Sequence, residues 1–339
     1  TEQTAIKILM NSLYGACANP YFRYFDIAIA NAITVSGQYV IRSAELAVNA
    51  YLSKVLKDKT PKDRIIAMDT DSIYVAMQDL MDHYKPVDPV DFLDKFASKA
   101  LEPLLEKTFA QLAKDTNAFK NTMAMKREAI ASRGIWIAKK RYILNINNNE
   151  GVQYAKPKIK MVGIQAIQSS TPAVCRKEFK KMFDIIMNGT EEDLQTAIAE
   201  FREEFNKLPP EQVSFPRGVN NLNKYYDAAG GYKKGQGAVP IQARAALLFN
   251  HQLKVHGLEK KLLPIRSGDK LKFTYLKKNN PLKENVIGFH DTLPTEFGLD
   301  NFVDYDLQFE KTFIVPLTAI LTAIKWSVEA KADLESFFS

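Results

Sequence analysis

The sequence predicts an α+β chain, on three observations. Apolar residues recur at helical spacing near its start, pairs of β-prone runs flank short polar turns in its first half, and helical periodicity dominates beyond Ser169. At 339 residues the chain is long enough to bury a sizeable core and is expected to hold two domains. Its 46% hydrophobic and 25% charged residues are ordinary for a soluble globular protein.

From Thr4 to about Ala18 the chain reads as a helix, because Ile6, Leu9, Met10 and Leu13 fall at i, i+3, i+4 and i+7 and form an apolar stripe. On the opposite face Lys7, Asn11 and Tyr14 fall at i, i+4 and i+7, so an ammonium, an amide and an aromatic ring project in one direction. A solvated face accounts for that spacing equally well. Gly15 and Asn19-Pro20 punctuate the chain before a second helical stretch from about Asp26 to Leu56. Next, Ile65, Ile66 and Met68, then Ile73, Tyr74 and Val75, enclose Asp69-Thr70-Asp71-Ser72. Two β-prone runs around four polar turn formers predict a hairpin with acid at its tip.

After Pro86 and Pro89 a helix is expected from about Val90 to Ala113, with Phe92, Phe96, Leu101, Leu104 and Leu105 as core. Strands follow over Met125–Ile130, Ile135–Ala138 and Arg141–Ile146, with a turn at Asn147–Gly151 and a return over Val152–Ala155. Ser169-Ser170-Thr171-Pro172 reads as a helix start and a domain boundary, and helix is expected onward to about Phe205. A loop-rich region holds Pro209-Pro210, Phe215-Pro216-Arg217-Gly218 and the stretch from Gly230 to Gly237, which lacks the Gly-Lys-Ser/Thr ending of a phosphate loop. Ile241–Lys254 reads as helix and Lys270–Leu276 as strand.

Asp69 and Asp71, two residues apart, can bring two carboxylates into one small volume, where they repel unless a cation neutralises them. Hard oxygen ligands of this kind suit Mg²⁺ or Mn²⁺, although a surface Asx-turn uses the same residues. The net charge of +7 is localised: between Thr122 and Met161 nine Lys and Arg face only Glu128 and Glu150, a surplus equal to that of the whole chain. Such a patch fits a polyanion, or an ordinary solvated face. From Glu284 to Glu310 there are seven acids and no Lys or Arg, so that region should face away from a polyanion. Cys17 and Cys175 are far apart and lack metal-ligand spacing, which argues for a reducing compartment and against a zinc site, and the four histidines form no triad or metal pattern. No run long enough to cross a bilayer and no secretory signal is evident, so a soluble protein without a membrane partner is expected. The chain opens without Met inside a helical pattern, as expected of a processed product, an excised piece or one part of a split protein.

The segments Lys7-Ile8-Leu9-Met10-Asn11-Ser12-Leu13-Tyr14-Gly15, Asp69-Thr70-Asp71-Ser72 and Lys139-Lys140-Arg141-Tyr142 together resemble the ordered motif set of family B DNA polymerases, most closely those of T4-like bacteriophages. The resemblance covers essentially the whole chain, including Ser169–Pro172 and the final nine residues. It implies a C-terminal portion of such an enzyme: a fingers helix over residues 1–18, an antiparallel palm sheet with covering helices over 19–167, and a mainly helical thumb over 168–339 that ends in a clamp-binding tail. It implies that Lys7 and Asn11 contact the triphosphate of the incoming dNTP and that Tyr14 borders the nascent base pair. Asp71 is then a firm metal ligand, with Asp69 close to the site and Glu128 a palm acid near the metals. Two Mg²⁺ ions are implied, with Mn²⁺ as a substitute. Lys139, Lys140, Arg141 and Tyr142 would hold the primer strand of primer–template DNA.

The family's other metal-binding Asp, in a Ser-Leu-Tyr-Pro-Ser motif, has no counterpart here, and neither do the exonuclease acids. The resemblance therefore implies an N-terminal polymerase fragment as partner and an isolated chain that is inactive, since two-metal phosphoryl transfer needs carboxylates from both strands. Leu334, Phe337 and Phe338 form an apolar cluster at the chain end, of the kind a short helical turn presents to a groove, and the resemblance gives the sliding clamp as its partner. A phage-encoded enzyme would work in the host-cell cytoplasm. The alternative of another class is a non-catalytic nucleic-acid-binding module with a vestigial acid hairpin; a pure duplex binder, however, needs no triphosphate contacts such as Lys7 and Asn11. A metal-dependent nuclease is a third reading.

Overall fold

The computed structural model describes residues 2–234 and 238–329. It mixes helices with small antiparallel sheets, as expected of an α+β chain, and divides into two compact units: residues 1–132 with 146–158, and residues 133–145 with 159–339.

The first unit opens with α1 (Glu2–Cys17) and α2 (Ile27–Val55). Asp26 caps α2, its carboxylate accepting from the Ala28 and Ile29 amides at 2.8 and 3.3 Å. No residue of α1 is buried: Ile6, Leu9, Met10 and Leu13 are 58–72% exposed, so the helix forms as expected while its apolar stripe is left uncovered within this chain. The second half of α2 is different. Ala44, Val48 and Leu52 pack with Leu105 and Phe109, and onto this core come Ile65, Ile73 and Val75 of the hairpin β1 (Ile65–Asp69) and β2 (Ser72–Val75). The pairing is antiparallel, Asp69 opposite Ser72 and Met68 opposite Ile73, with a register shift between Ile65 and Ala67. After α3 (Gln78–Tyr84), the stretch expected as one helix from Val90 is α4 (Pro89–Phe96), a π-turn at Ala97–Leu101 and α5 (Glu102–Asp115).

Strands β3 (Ala129–Ala138), β4 (Arg141–Asn149) and β5 (Val152–Val162) form one sheet in that order, and their two-residue links require antiparallel neighbours. The sequence expectations are corrected here: the runs expected at Met125–Ile130 and Ile135–Ala138 form one strand, the return expected to end at Ala155 continues to Val162, and two further differences have a visible cause. Met125–Glu128 are not strand, because the Arg127 amide donates to the Glu102 carboxylate at 3.1 Å instead of to a ladder. Nor do Asn147–Asn149 turn: they stay in β4, and the turn is Glu150-Gly151 at φ +50° and +86°. The asparagine amides that signal a turn serve here as acceptors, Asn147 for the Ser132 amide and Asn148 for Arg127 and the Gly151 amide.

The second unit has two cores. In one, α6 (Ala173–Asn188) and α7 (Glu191–Phe205) pack Phe179, Phe183, Phe201 and Phe205 around Phe313, with ring centroids 4.5 Å apart for Phe179–Phe313 and 4.8 Å for Phe201–Phe313. The chain continues through α8 (Pro210–Val213), β6 (Phe215–Gly218), α9 (Leu222–Tyr225), β7 (Tyr226–Asp227), β8 (Gly231–Tyr232), α10 (Ile241–Val255), β9 (Lys270–Tyr275) and β10 (Val286–Phe289). The antiparallel sheet β10-β9-β6 carries α10 and makes the other core. Gly288 lets helix and strand approach closely: a β-carbon there would lie 2.9 Å from the Ala245 carbonyl.

The chain then enters α11 (Tyr305–Phe309), a π-turn at Glu310–Ile314 and α12 (Val315–Ile324). Together these span twenty residues, Tyr305–Ile324, and include an 18-residue stretch of mean hydropathy 1.3, which is long and apolar enough to cross a membrane, contrary to the expectation that no such run exists. The stripe is used within the protein: Phe309, Phe313, Leu317, Ile320 and Leu321 are all buried in the phenylalanine core. On the same run Gln308 is fully buried and joins the two cores. Its amide NH₂ donates to the Val213 carbonyl at 2.8 Å, and its amide oxygen accepts from the Tyr275 main-chain N–H at 3.1 Å.

Candidate active-site hairpin and basic turn

The β1–β2 hairpin closes through a two-residue link, Thr70-Asp71. The Asp71 amide donates to the Asp69 carbonyl at 2.6 Å across Thr70, whose φ is +54°. That is a γ-turn with a β-branched residue at positive φ, a strained conformation of the kind that collects at functional sites. Thr70 Oγ1 donates to Asp69 Oδ1 at 3.0 Å, and Ser72 Oγ donates to the Asp69 carbonyl at 3.1 Å. Asp69 is thus half-buried with one carboxylate oxygen fixed by its neighbour, while Asp71 is exposed at the tip.

The base of the hairpin is held by a residue that the sequence did not single out. Arg64, 5% exposed, places its guanidinium 2.8 Å from both Asp58 and Asp79 and 3.3 Å from Ser53 Oγ, while its own amide donates to Asn49. Its carbonyl accepts from the Ala76 amide, one residue beyond β2. Burial pushes the Asp58 carboxyl up, but hydrogen bonds from Arg64 and Ser53 with the nearby positive charge outweigh it, and Asp58 lies below its ordinary 3.8. Hydrogen bonds from Arg64 and then Lys62 hold Asp79 below the same value. An Arg directly before a strand carries no pattern that would have revealed this role.

On α1, Lys7, Asn11 and Tyr14 are all exposed along one face. Tyr14 is anchored: its hydroxyl lies 2.9 Å from Thr34 Oγ1, and since Thr34 gives its single proton to the Ala30 carbonyl, the tyrosine is the donor. Glu128 lies elsewhere. It lines an open cavity of about 530 Å³ with Glu102, Lys126, Arg127, Glu150 and Gly151, and its carbonyl accepts from the Glu150 amide at 2.6 Å. Among the described residues no three His, Cys, Asp or Glu come together as a metal-binding group. Asp69 and Asp71 supply two hard oxygen donors on one strained tip, which fits part of a Mg²⁺ or Mn²⁺ shell and leaves the rest to other groups.

In the second unit, Lys139-Lys140 form the two-residue turn between β3 and β4, with Lys140 at φ +59°. Lys139, Lys140 and Arg141 are exposed, whereas Tyr142 is only 8% exposed and stacks on Trp136 at 6.1 Å. The turn rests on Gly163, at φ +65°, where a β-carbon would sit 2.1 Å from the Lys140 carbonyl oxygen. This glycine, too, was missed, because the return strand was expected to end at Ala155 and in fact runs on to Val162, directly before it. Leu334, Phe337 and Phe338 lie outside the described residues.

The model of DNA polymerase family B matches residues 1–226. The chain belongs to DNA polymerase family B. It is 32% identical over 357 residues to the DNA-directed DNA polymerase of Enterobacteria phage T4, and 35% identical over 356 residues to that of Escherichia phage RB69. Both alignments take in the whole of this chain, which spans 39% and 38% of the length of those relatives. This family B chain is thus related to the polymerases of T4-like phages.

Proposed function

We propose that the chain is the C-terminal part of a DNA-directed DNA polymerase that extends a primer 3′-OH with dNTPs once joined to a part carrying the remaining metal-binding Asp. The hairpin tip supports this reading most: family membership gives the expected chemistry, and Asp69-Thr70-Asp71 offers two carboxylates on a strained turn fixed to a helical core. In this reading residues 1–18 are a fingers helix, 19–167 the palm and 168–339 the thumb. When bound, divalent cations supply the charge neutralisation that in-line phosphoryl transfer requires. Asp71 and Asp69 would hold them, with Glu128 nearby in the completed enzyme.

The other residues bind and orient. Lys7 and Asn11 meet the triphosphate, Tyr14 borders the new base pair, and Lys139, Lys140 and Arg141 hold the primer strand through its phosphates. Tyr142, expected to hold the primer strand with them, is 8% exposed and stacked on Trp136, so it supports the strand that presents them instead of meeting DNA with its ring. The terminal Leu334, Phe337 and Phe338 would dock on the sliding clamp, and the enzyme would work in the host cytoplasm.

The test is reconstitution with the complementary part. The isolated chain should not extend a primer, whereas the joined enzyme should, and Asp71→Ala should nearly abolish turnover while primer–template binding persists. Robust synthesis by the isolated chain, collapse of DNA binding in the variant, or degradation of the primer regardless of nucleotides would each overturn the reading.

A further inference from the structure

The second unit carries a groove that the polymerase reading leaves unused. It has a volume of about 910 Å³ and lies between the end of α10, the following loop, and residues 290–300. That volume is within the usual range of sites that receive side chains or small ligands. Its floor is apolar: Phe249, Leu258 and Leu293 are 2–5% exposed, and on the rim Leu263 is 76% exposed. Leu263 extends the apolar floor onto the exposed rim.

The rim is acidic. Glu211, Asp291, Glu296 and Asp300 line it against Lys261 and Lys270, and among the described residues none of the four acids makes a side-chain hydrogen bond or an ion pair. The surrounding stretch from Glu284 to Glu310 holds seven acids and no Lys or Arg, in a chain whose net charge is +7. Within the groove His290 packs edge-on against Phe249, with centroids 6.1 Å apart, and its Nε2 is enclosed without a hydrogen-bond partner. An apolar floor rimmed by four acids against two lysines calls for an occupant with an apolar body and cationic groups. A nucleic acid has the opposite charge character.

We infer that this groove docks a protein partner through a short segment in which leucine-sized residues alternate with Lys or Arg. The leucines fill the floor, and the cations meet Asp291, Glu296 and Asp300 on the rim. Such rim pairs steer encounter and select the partner more than they add affinity.

The probe is a fluorescein-labelled peptide of alternating Leu and Lys, with a peptide of alternating Leu and Glu as comparison, added to the full chain. Anisotropy should report binding of the lysine peptide alone, weakening as salt rises. Hydrogen exchange should show new protection at residues 258–263 and 290–300. The double variant Asp291→Lys/Glu296→Lys should weaken binding about tenfold, in keeping with two exposed charge pairs. Leu263→Ser should weaken it without changing the charge, and both variants alter exposed positions, so the fold is spared. Equal binding of the two peptides, protection outside the groove, or self-association of the chain through this face in sedimentation would overturn the inference. None of these readouts depends on polymerase activity, so the inference can fail while the polymerase reading stands.

Discussion

Replacing Gly163 with Ala should uncouple the basic turn from its support. The added β-carbon would start 2.1 Å from the Lys140 carbonyl oxygen and 3.1 Å from Arg141 Cγ, where a tolerable contact begins near 3.0 Å. The turn or Gly163 must therefore move by about 0.9 Å, the difference between those distances. Alanine at φ +65° adds a left-handed backbone cost of roughly 1–2 kcal/mol, and forcing a methyl into filled space adds about 1–3 kcal/mol. The sum, about 2–5 kcal/mol, corresponds to a fall in melting temperature of about 4–20 °C for a unit of this size. The functional consequence is separable from stability. If Lys139 and Lys140 lose their places on two phosphates, the slope of log affinity against log salt should shrink by up to about two units at a temperature where the fold persists. Gly163→Asn tests the reasoning from inside, because asparagine tolerates positive φ but brings the same β-carbon. It should recover little of the loss. Full recovery by Asn would show that backbone strain, not the approach to Lys140, makes glycine necessary, and an unchanged melt and salt slope in the Ala variant would refute the whole account.

Three further outcomes are expected. Arg64→Met should flatten the acid limb of stability: because Asp58 and Asp79 titrate below their ordinary value in the folded state, their contribution is complete above about pH 3.8 and is lost as pH falls through the depressed values. Thermal melts across the acid range should therefore be steeper for the parent than for the variant, and superimposable profiles would remove Arg64 from this role. Lys139→Ala with Lys140→Ala should weaken duplex binding similarly for unrelated sequences and reduce its salt dependence, since phosphate contacts carry no base identity; an unchanged salt slope together with unchanged extension would mark a merely solvated turn. Deleting Leu334–Ser339 should spare single-nucleotide incorporation by the joined enzyme but remove the gain in product length when the cognate clamp is loaded. A full response to the clamp by the truncated enzyme, or a clear drop in its melting temperature, would assign the tail to the fold.

Local chemistry made much of this chain legible before its structure. The β1–β2 hairpin follows from Ile65–Met68 and Ile73–Val75 around a polar turn, and α2 and α10 match their periodic stretches closely. Errors arose where a long-range partner overrode a local signal. Arg127 spends its amide on Glu102, twenty-five residues away, so the expected strand starts late, and Asn147 and Asn148 find acceptor roles that keep them in β4. The α11–α12 run was missed because acids up to Glu310 masked a stripe whose burial depends on α6 and α7. For the candidate site, the Asp69-Thr70-Asp71 tip was visible as acids between two β-prone runs, whereas Lys7, Asn11 and the Lys139-Lys140 turn stood out only through the family resemblance. Arg64 and Gly163 were not visible, since their importance lies in what folds against them.

The Gln308 seam bears on how the second unit comes apart. A hydrophobic core resists opening because every exposed side chain must be hydrated at a cost, whereas an amide hydrogen-bonded inside a protein regains partners in water and contributes about 1 kcal/mol net. Tyr305, one turn earlier, packs on both cores and donates its hydroxyl to the Leu208 carbonyl, so the border between them is polar at two successive points. Sub-global opening should therefore run along this border, leaving the phenylalanine core and the α10 sheet each intact for a time. The Tyr275 main-chain amide, which donates to Gln308, would then exchange its hydrogen before the amides of either interior.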